Sequence, residues 1–133
     1  MPAAESGTAV RLPLGMLGFE QFKDYVLLAH PEEAPFCWLQ MVEKPALAFL
    51  VIEPFQVLPD YKPDLPEQDV DFLALRTPSD ALVYNIVTVR GPTQATINLK
   101  GPIVLNRHTR MGKQVIPNNA VHYSVQHPLP VDE

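Results

Sequence analysis

Proline is the feature that most constrains the fold of this chain, since 15 prolines are spread along its 133 residues. That share is about twice the roughly 5% found in an average protein. Proline interrupts helices and is confined to the edges and ends of strands. Because apolar runs lie between the prolines, the sequence favours short strands joined by tight connections.

Strand-like runs recur along most of the chain. Residues 82–90 are the clearest strand, because β-branched side chains occur throughout, and a Gly-Pro turn leads from them into a returning strand at 93–99. Residues 36–42 and 46–52 have the spacing of a hairpin. We therefore predict a mainly β fold, a small antiparallel β-barrel-like single domain with one or two short helices.

One helix candidate interrupts the strands near the middle of the chain. Asp64 offers an N-cap and Pro66 suits a first helical turn, so we predict a short helix over residues 66–73. The length of the chain indicates one domain. The expected division is a flexible N-terminal end at 1–9, the single β domain at 10–128 and a C-terminal tail at 129–133.

The cysteine content and the hydropathy indicate the compartment. Cys37 is the only cysteine, so no intramolecular disulfide can form. No apolar run reaches the roughly 18 residues that a membrane span requires. The first residues lack the basic stretch and apolar core of a secretory signal. We therefore expect a cytoplasmic protein that does not act at a membrane.

Charge is distributed unevenly along the chain. Residues 1–80 hold 13 acids and 5 bases, a net charge of −8, whereas residues 81–131 hold 5 bases and no acid. Repulsion between the first part and phosphate groups disfavours nucleic acid as a direct partner. The same charge favours a basic protein as the partner of that part.

The acids are densest in residues 53–80, the acidic segment, where seven acids stand against Lys62 and Arg76. Such a density could include a catalytic carboxylate pair. A solvated acidic face is the simpler interpretation, and one use for it is to steer a cationic partner, with neighbouring aromatic side chains as anchors. The candidate partner-binding residues are Phe55, Asp60, Tyr61, Asp64, Glu67, Asp69 and Asp71.

No other residue pattern indicates catalysis. The four histidines lack the local spacing of a zinc site, and Cys37 has the apolar neighbours of an inert core thiol. No serine or glycine run forms a nucleophile elbow or a phosphate loop. The bases Arg107, Arg110 and Lys113 could bind phosphate or an acidic peptide, but a polar hairpin tip is the simpler interpretation. We predict no catalytic residue, no metal and no cofactor.

Several short segments resemble the FliW family of bacterial flagellar assembly factors when they are taken together. Each segment alone is weak evidence, but their order and spacing over residues 11–128 argue against a chance match. The most specific is Asn-Leu-Lys-Gly-Pro-Ile-Val-Leu-Asn at 98–106, followed by Gly-Lys-Gln-Val-Ile at 112–116. The others are residues 12–20, residues 35–40 with 45–51, and residues 53–55 with 59–61.

The resemblance implies a β-barrel-like cytoplasmic protein with two protein partners. One is CsrA, a small basic RNA-binding regulator of translation, and the other is flagellin. Binding of CsrA would relieve repression of flagellin synthesis, and free flagellin would compete for the same protein. Two alternatives remain open, namely a flagellin chaperone that does not bind CsrA and a flavin-binding split-barrel enzyme.

Overall fold

The computed structural model describes residues 6–130, and their backbone is mainly antiparallel β-structure with one α-helix, α1 (Glu67–Phe72). This confirms the predicted mainly β fold with short helices. The nine strands in this range are β1 (Ser6–Arg11), β2 (Asp24–Ala29), β3 (Phe36–Met41), β4 (Ala48–Ile52), β5 (Ala81–Gly91), β6 (Gln94–Ile97), β7 (Ile103–Asn106), β8 (Gly112–Gln114) and β9 (His127–Pro130).

The strands form one curled sheet in which β1 to β6 pair in sequence and β9 pairs with β6. The long strand β5 pairs through its first residues with β7 and through its last residues with β6. The hairpin of β7 and β8 is thereby attached to the first part of β5 and lies outside the strand order β1 to β6 and β9. A single parallel bridge between Arg11 and Met111 brings β1 to this hairpin, so the sheet is barrel-like without being closed by a full ladder.

The core follows from the two-residue period of the strands. In β3, for example, Cys37, Leu39 and Met41 are buried, whereas Trp38 between them is exposed. The largest apolar cluster joins the inner faces of β1 to β4 to Tyr84 of β5 and to Ile103 and Leu105 of β7. A smaller cluster of Leu73, Val104 and Val115 packs the end of α1 against the β7–β8 hairpin.

The prolines mark the breaks between these elements, as the sequence predicts. Pro31, Pro54 and Pro78 each begin a short 3-10 turn, and Pro66 directly precedes α1. Strand β9 contains two prolines and pairs only with β6, which is the edge position that proline tolerates.

The ends of the β-structure differ from the predicted boundaries. Strand β1 begins at Ser6, inside the predicted flexible end 1–9, because its small residues pair along the whole of β2. Strand β9 likewise enters the predicted tail 129–133. Residues 1–5 and 131–133 lie outside the described residues, and the division into a domain with two flexible ends stays a prediction.

No helix in residues 6–130 is both long and apolar enough to cross a membrane.

The loop between β1 and β2 contains two glycines with positive φ. Gly15 has φ of 69°, and a Cβ atom there would lie 2.5 Å from the Cα atom and 2.6 Å from the carbonyl oxygen of Glu20. Gly18 has φ of 89°, but a Cβ atom there would meet nothing within 4 Å. An alanine at Gly18 would therefore meet backbone strain alone, whereas an alanine at Gly15 would meet both strain and a steric clash.

We expect Gly15→Ala to destabilise the protein more than Gly18→Ala. Gly18→Ala introduces only the strain of a left-handed alanine, about 1 kcal/mol. Gly15→Ala must also displace the backbone of Glu20, for a total of about 3 kcal/mol. Urea denaturation of both variants measures the difference, and equal losses would contradict this description of the loop.

Candidate functional site

The acidic segment connects β4 to β5 and carries α1 near its centre. It begins with a 3-10 turn, Pro54–Gln56, and ends with another, Pro78–Asp80. Helix α1 lies within the predicted range 66–73, with two acids in its first turn, where carboxylates interact favourably with the helix dipole. The segment is otherwise irregular, so contacts with other parts of the fold hold it in place.

The β7–β8 hairpin holds the C-terminal end of α1. The backbone N–H of Leu75 donates to the carbonyl of Val70 at 3.0 Å, which closes the helix with Ala74 in a left-handed conformation. The buried side chain of Asn106 then donates from Nδ2 to the carbonyls of Leu73 at 2.8 Å and Ala74 at 3.3 Å. Asn106 thereby satisfies carbonyl groups that the helix itself leaves free.

A partly buried ion pair joins α1 to the same hairpin. The Asp69 carboxylate accepts a hydrogen bond from the Lys113 ammonium, and these side chains are only 5% and 24% exposed. Lys113 also lies over the ring of Phe72, with Nζ 5.7 Å from the ring centroid. The structure thus corrects the place predicted for Asp69, which lies in the interior and not on a solvated acidic face.

The sequence interpretation missed the pairing of Asp69 with Lys113, although the spacing of Asp69 and Leu73 indicated that Asp69 faces inward. Asp69 lies four residues before the buried Leu73, so a helix places both side chains on the same side. Lys113 was grouped with the bases of the hairpin tip, but it lies within β8. Its partner is 44 residues away, and no local pattern links the two.

We expect Lys113→Met to lower the free energy of unfolding by about 3 kcal/mol, because it leaves the Asp69 carboxylate buried without a counter-charge. Adding Asp69→Leu should restore most of the loss, since the double variant buries no charge. Urea denaturation of both single variants and the double variant gives the coupling free energy. A double variant no more stable than Lys113→Met would contradict this role for the pair.

The structure also places Tyr61 in the interior, where it is 4% exposed. Its hydroxyl donates to the carbonyl of Leu99 at 2.8 Å and accepts from Nδ2 of Asn85 at 3.2 Å. Burial raises the pKa of Tyr61 to about 12. Tyr61 is therefore part of the core, and its predicted place as an exposed anchor is corrected, whereas the neighbouring Phe55 is 46% exposed.

Three of the predicted acids come together on the surface beside Asn118. The backbone N–H of Asn118 donates to the carbonyl of Asp64 at 2.7 Å. Asn118 also lines a shallow depression of about 500 Å³ with Glu67 and Asp71, and none of the described bases lines it. All three acids are exposed, and we call Asp64, Glu67 and Asp71 the acidic surface.

Asp60 is exposed but lies apart from the acidic surface. It lines a different depression of about 530 Å³, whose other lining residues include His122 and His127. The sequence interpretation treated Asp60 as continuous with the other acids because it is close to them in the chain. The fold separates it from them.

The end of the acidic segment is attached to the hairpin tip. The Asp80 carboxylate accepts hydrogen bonds from the backbone N–H groups of Arg76 at 2.9 Å and Thr77 at 3.0 Å, and it contacts His108 Nε2 at 3.0 Å. These contacts, the backbone ones foremost, lower the pKa of Asp80 to about 2. Arg107 donates from Nε to the carbonyl of Ser79 at 2.8 Å, so the tip serves in part to hold the segment.

An apolar groove lies on another side of the segment, between Phe55 and Val83. It has a volume of about 590 Å³, and Leu65, Val70 and Leu75 contribute to its walls. Its charged lining residues are Lys62 and Arg76, the two bases of the acidic segment, and no acid of residues 6–130 lines it. The sequence suggested no such groove, because its walls come from residues that are separated by up to 28 positions.

Metal-ligating groups and the single thiol bear on the remaining chemistry of residues 6–130. Within 6–130, no three or more His, Cys, Asp or Glu side chains are grouped so that they could hold a metal ion. Cys37 is buried, and its burial, together with the charge of Glu53, raises the pKa of its thiol. A raised pKa disfavours the reactive thiolate.

Comparison with known proteins identifies the family. The sequence model of the FliW protein family matches residues 3–129. The flagellar assembly factor FliW of Leptospira interrogans is 42% identical over 112 residues, which are 83% of this chain and 75% of the relative. FliW of Geobacillus thermodenitrificans is 43% identical over 121 residues, 90% of this chain and 83% of the relative. The chain belongs to the FliW family of flagellar assembly factors.

A solved structure agrees with this assignment. The crystal structure of a flagellar assembly factor FliW superimposes with a TM-score of 0.84 at 40% identity, and the match covers 94% of this chain and 87% of that one. The resemblance to FliW drawn from the sequence motifs is thereby confirmed. FliW is a family of assembly factors and not a known class of enzyme.

Two of the segments that resemble FliW meet in space. Gln114 of β8 accepts a hydrogen bond at Oε1 from the backbone N–H of Leu17 at 3.0 Å, and its Nε2 donates to the carbonyl of Gly101 at 3.3 Å. A Cβ atom at Gly112 would lie 2.8 Å from Leu12 Cδ2. These FliW-like residues therefore hold the first loop against the β7–β8 hairpin.

Proposed function

We propose that this chain is a non-enzymatic regulator of flagellar assembly that acts in the cytoplasm by binding two proteins. It binds a CsrA-type translational regulator, relieves repression of flagellin synthesis, and also binds flagellin, which competes with the regulator. Membership of the FliW family and the acidic surface support this proposal. Direct contact with nucleic acid and with a membrane has no part in it.

The acidic surface is the observation that carries the proposal. Glu67 and Asp71 line a depression that no base of residues 6–130 lines, and Asp64 is exposed close by, where its carbonyl accepts from Asn118. These carboxylates can therefore meet the charges of a partner. The helix beneath them is attached through Asp69 and Asn106, so the surface is organised before any partner binds. Preorganised charges steer a basic partner and raise the association rate, an effect that salt weakens.

Some of the predicted partner-binding residues cannot contribute directly to binding a partner. Asp69 neutralises Lys113 and has no charge to offer a partner. Tyr61 is enclosed in the core. The exposed Phe55 lines the apolar groove and not the depression beside Asn118, so it can contribute only where a partner also covers that groove. Asp60 can contribute only as a separate contact beyond the acidic surface.

We expect charge reversal of the acidic surface, Asp64→Lys with Glu67→Lys and Asp71→Lys, to weaken binding of a purified CsrA-type regulator by about tenfold or more. Three reversed contacts at roughly 0.5 kcal/mol each reach that factor. The control reverses Glu32, Glu33 and Glu43, three exposed acids outside the segment, and makes the same change in net charge. Isothermal titration calorimetry at low and at moderate salt gives both affinities.

The outcomes separate the proposal from its rivals. Binding that is weakened by the first variant, retained by the control and reduced by salt supports it. Equal affinity for all three proteins, or no complex even at low salt, would contradict it. A flagellin complex without regulator binding would indicate the chaperone alternative, and a yellow purified protein the flavin-binding one.

A further inference from the structure

The apolar groove between Phe55 and Val83 has the opposite charge to the segment that forms it. The acidic segment holds seven acids and two bases, yet both bases line the groove and none of the acids does. We infer that the groove is a second docking site, which takes a peptide segment of a partner protein that carries apolar side chains and a carboxylate. This inference does not depend on the proposed function.

The walls of the groove supply the apolar part of the site. Leu65, Val70, Leu75 and Val83 line it, and the ring of Phe55 stands 46% exposed at one side. Its volume of about 590 Å³ is large enough to receive several side chains. Covering the exposed part of Phe55 gives an occupant apolar contact area that the free protein leaves in water.

The backbone of each base is held by hydrogen bonds, whereas its charged group has no ion-pair partner in the part of the chain that the structure describes. Lys62 donates its N–H to the hydroxyl of Tyr123 at 3.2 Å and accepts at its carbonyl from Asn119 at 2.9 Å. The N–H of Arg76 donates to Asp80. Among the described residues, no carboxylate lies within ion-pair distance of either charged group. Two cations are thus placed beside an apolar surface, and no described residue supplies their counter-charge.

These features favour a carboxylate-bearing occupant. A carboxylate that approaches Lys62 or Arg76 forms a charge-assisted hydrogen bond, and the arginine can hold it with two parallel bonds. A strongly basic segment is disfavoured, because Lys62 and Arg76 would repel it. The preference of the groove is therefore opposite to that of the acidic surface.

A peptide suits the groove better than a small cofactor does. Small-molecule sites add several convergent polar groups to their apolar walls. Here the Tyr61 hydroxyl is already bonded to Leu99 and Asn85, and the Thr77 hydroxyl lies 3.1 Å from that of Ser79. The two charged side chains remain for polar recognition, which is enough to select a carboxylate beside apolar residues.

The test selects peptides from a random library displayed on phage, using the whole folded protein as bait. We expect enriched peptides that combine leucine, isoleucine or phenylalanine with aspartate, glutamate or a free C-terminal carboxylate. A fluorescently labelled synthetic peptide of the consensus sequence should bind at least about tenfold more weakly to Lys62→Glu with Arg76→Glu, by loss of two charge-assisted contacts. Fluorescence anisotropy measures this affinity.

Two controls locate the effect. Lys44→Glu with Arg90→Glu reverses two exposed bases elsewhere and makes the same change in net charge, so it should leave the affinity within about twofold. The variant with a reversed acidic surface should bind the anionic peptide at least as well as the unaltered protein. Thermal unfolding of each variant confirms that it is folded.

Several results would overturn the inference. They are a selection without enrichment above the starting library, a consensus without acids, and a peptide affinity that the groove variant does not change. Self-association of the unaltered protein that the groove variant abolishes would assign the groove to a second copy of this chain. Regulator binding is measured with a different ligand, so failure of the proposed function and failure of this inference are distinguishable.

Discussion

The partly buried ion pair of Asp69 and Lys113 is the interaction on which the conformation of the acidic segment depends. It joins a six-residue helix, too short to be stable alone, to a hairpin 44 residues further along the chain. Asn106 completes the attachment by binding the carbonyls at the end of the helix. The irregular acidic segment thereby acquires one conformation, and the exposed charges on it acquire fixed places.

That attachment explains how one segment presents two surfaces of opposite character. Glu67 and Asp71 of α1 face the depression beside Asn118, whereas Val70 of the same helix faces the apolar groove. The net charge of the segment describes the first surface and conceals the second. The basic partner and the acidic, apolar peptide that we propose would therefore bind on two sides of the same helix.

Much of the fold could be predicted from the sequence, because its signals are local. Proline spacing and the β-branched run of residues 82–90 predict short strands, and Pro66 predicts the start of α1. The candidate site was harder to predict than the fold, because contacts over long sequence distances decide which side chains are exposed. Tyr61 and Asp69 look like surface residues in the sequence, but Leu99 and Lys113 enclose them in the structure. The short strand β1 was partly missed, since pairing with β2 and not composition makes it a strand.

We propose above all that a basic partner docks on the attached acidic segment. Amide hydrogen exchange of this protein, free and saturated with a purified CsrA-type regulator, tests that proposal most directly. We expect slower exchange in residues 60–76 on binding, with β2 and β3 unchanged. Protection confined to the sheet of β1 to β4, with the acidic segment exchanging as in the free protein, would contradict it.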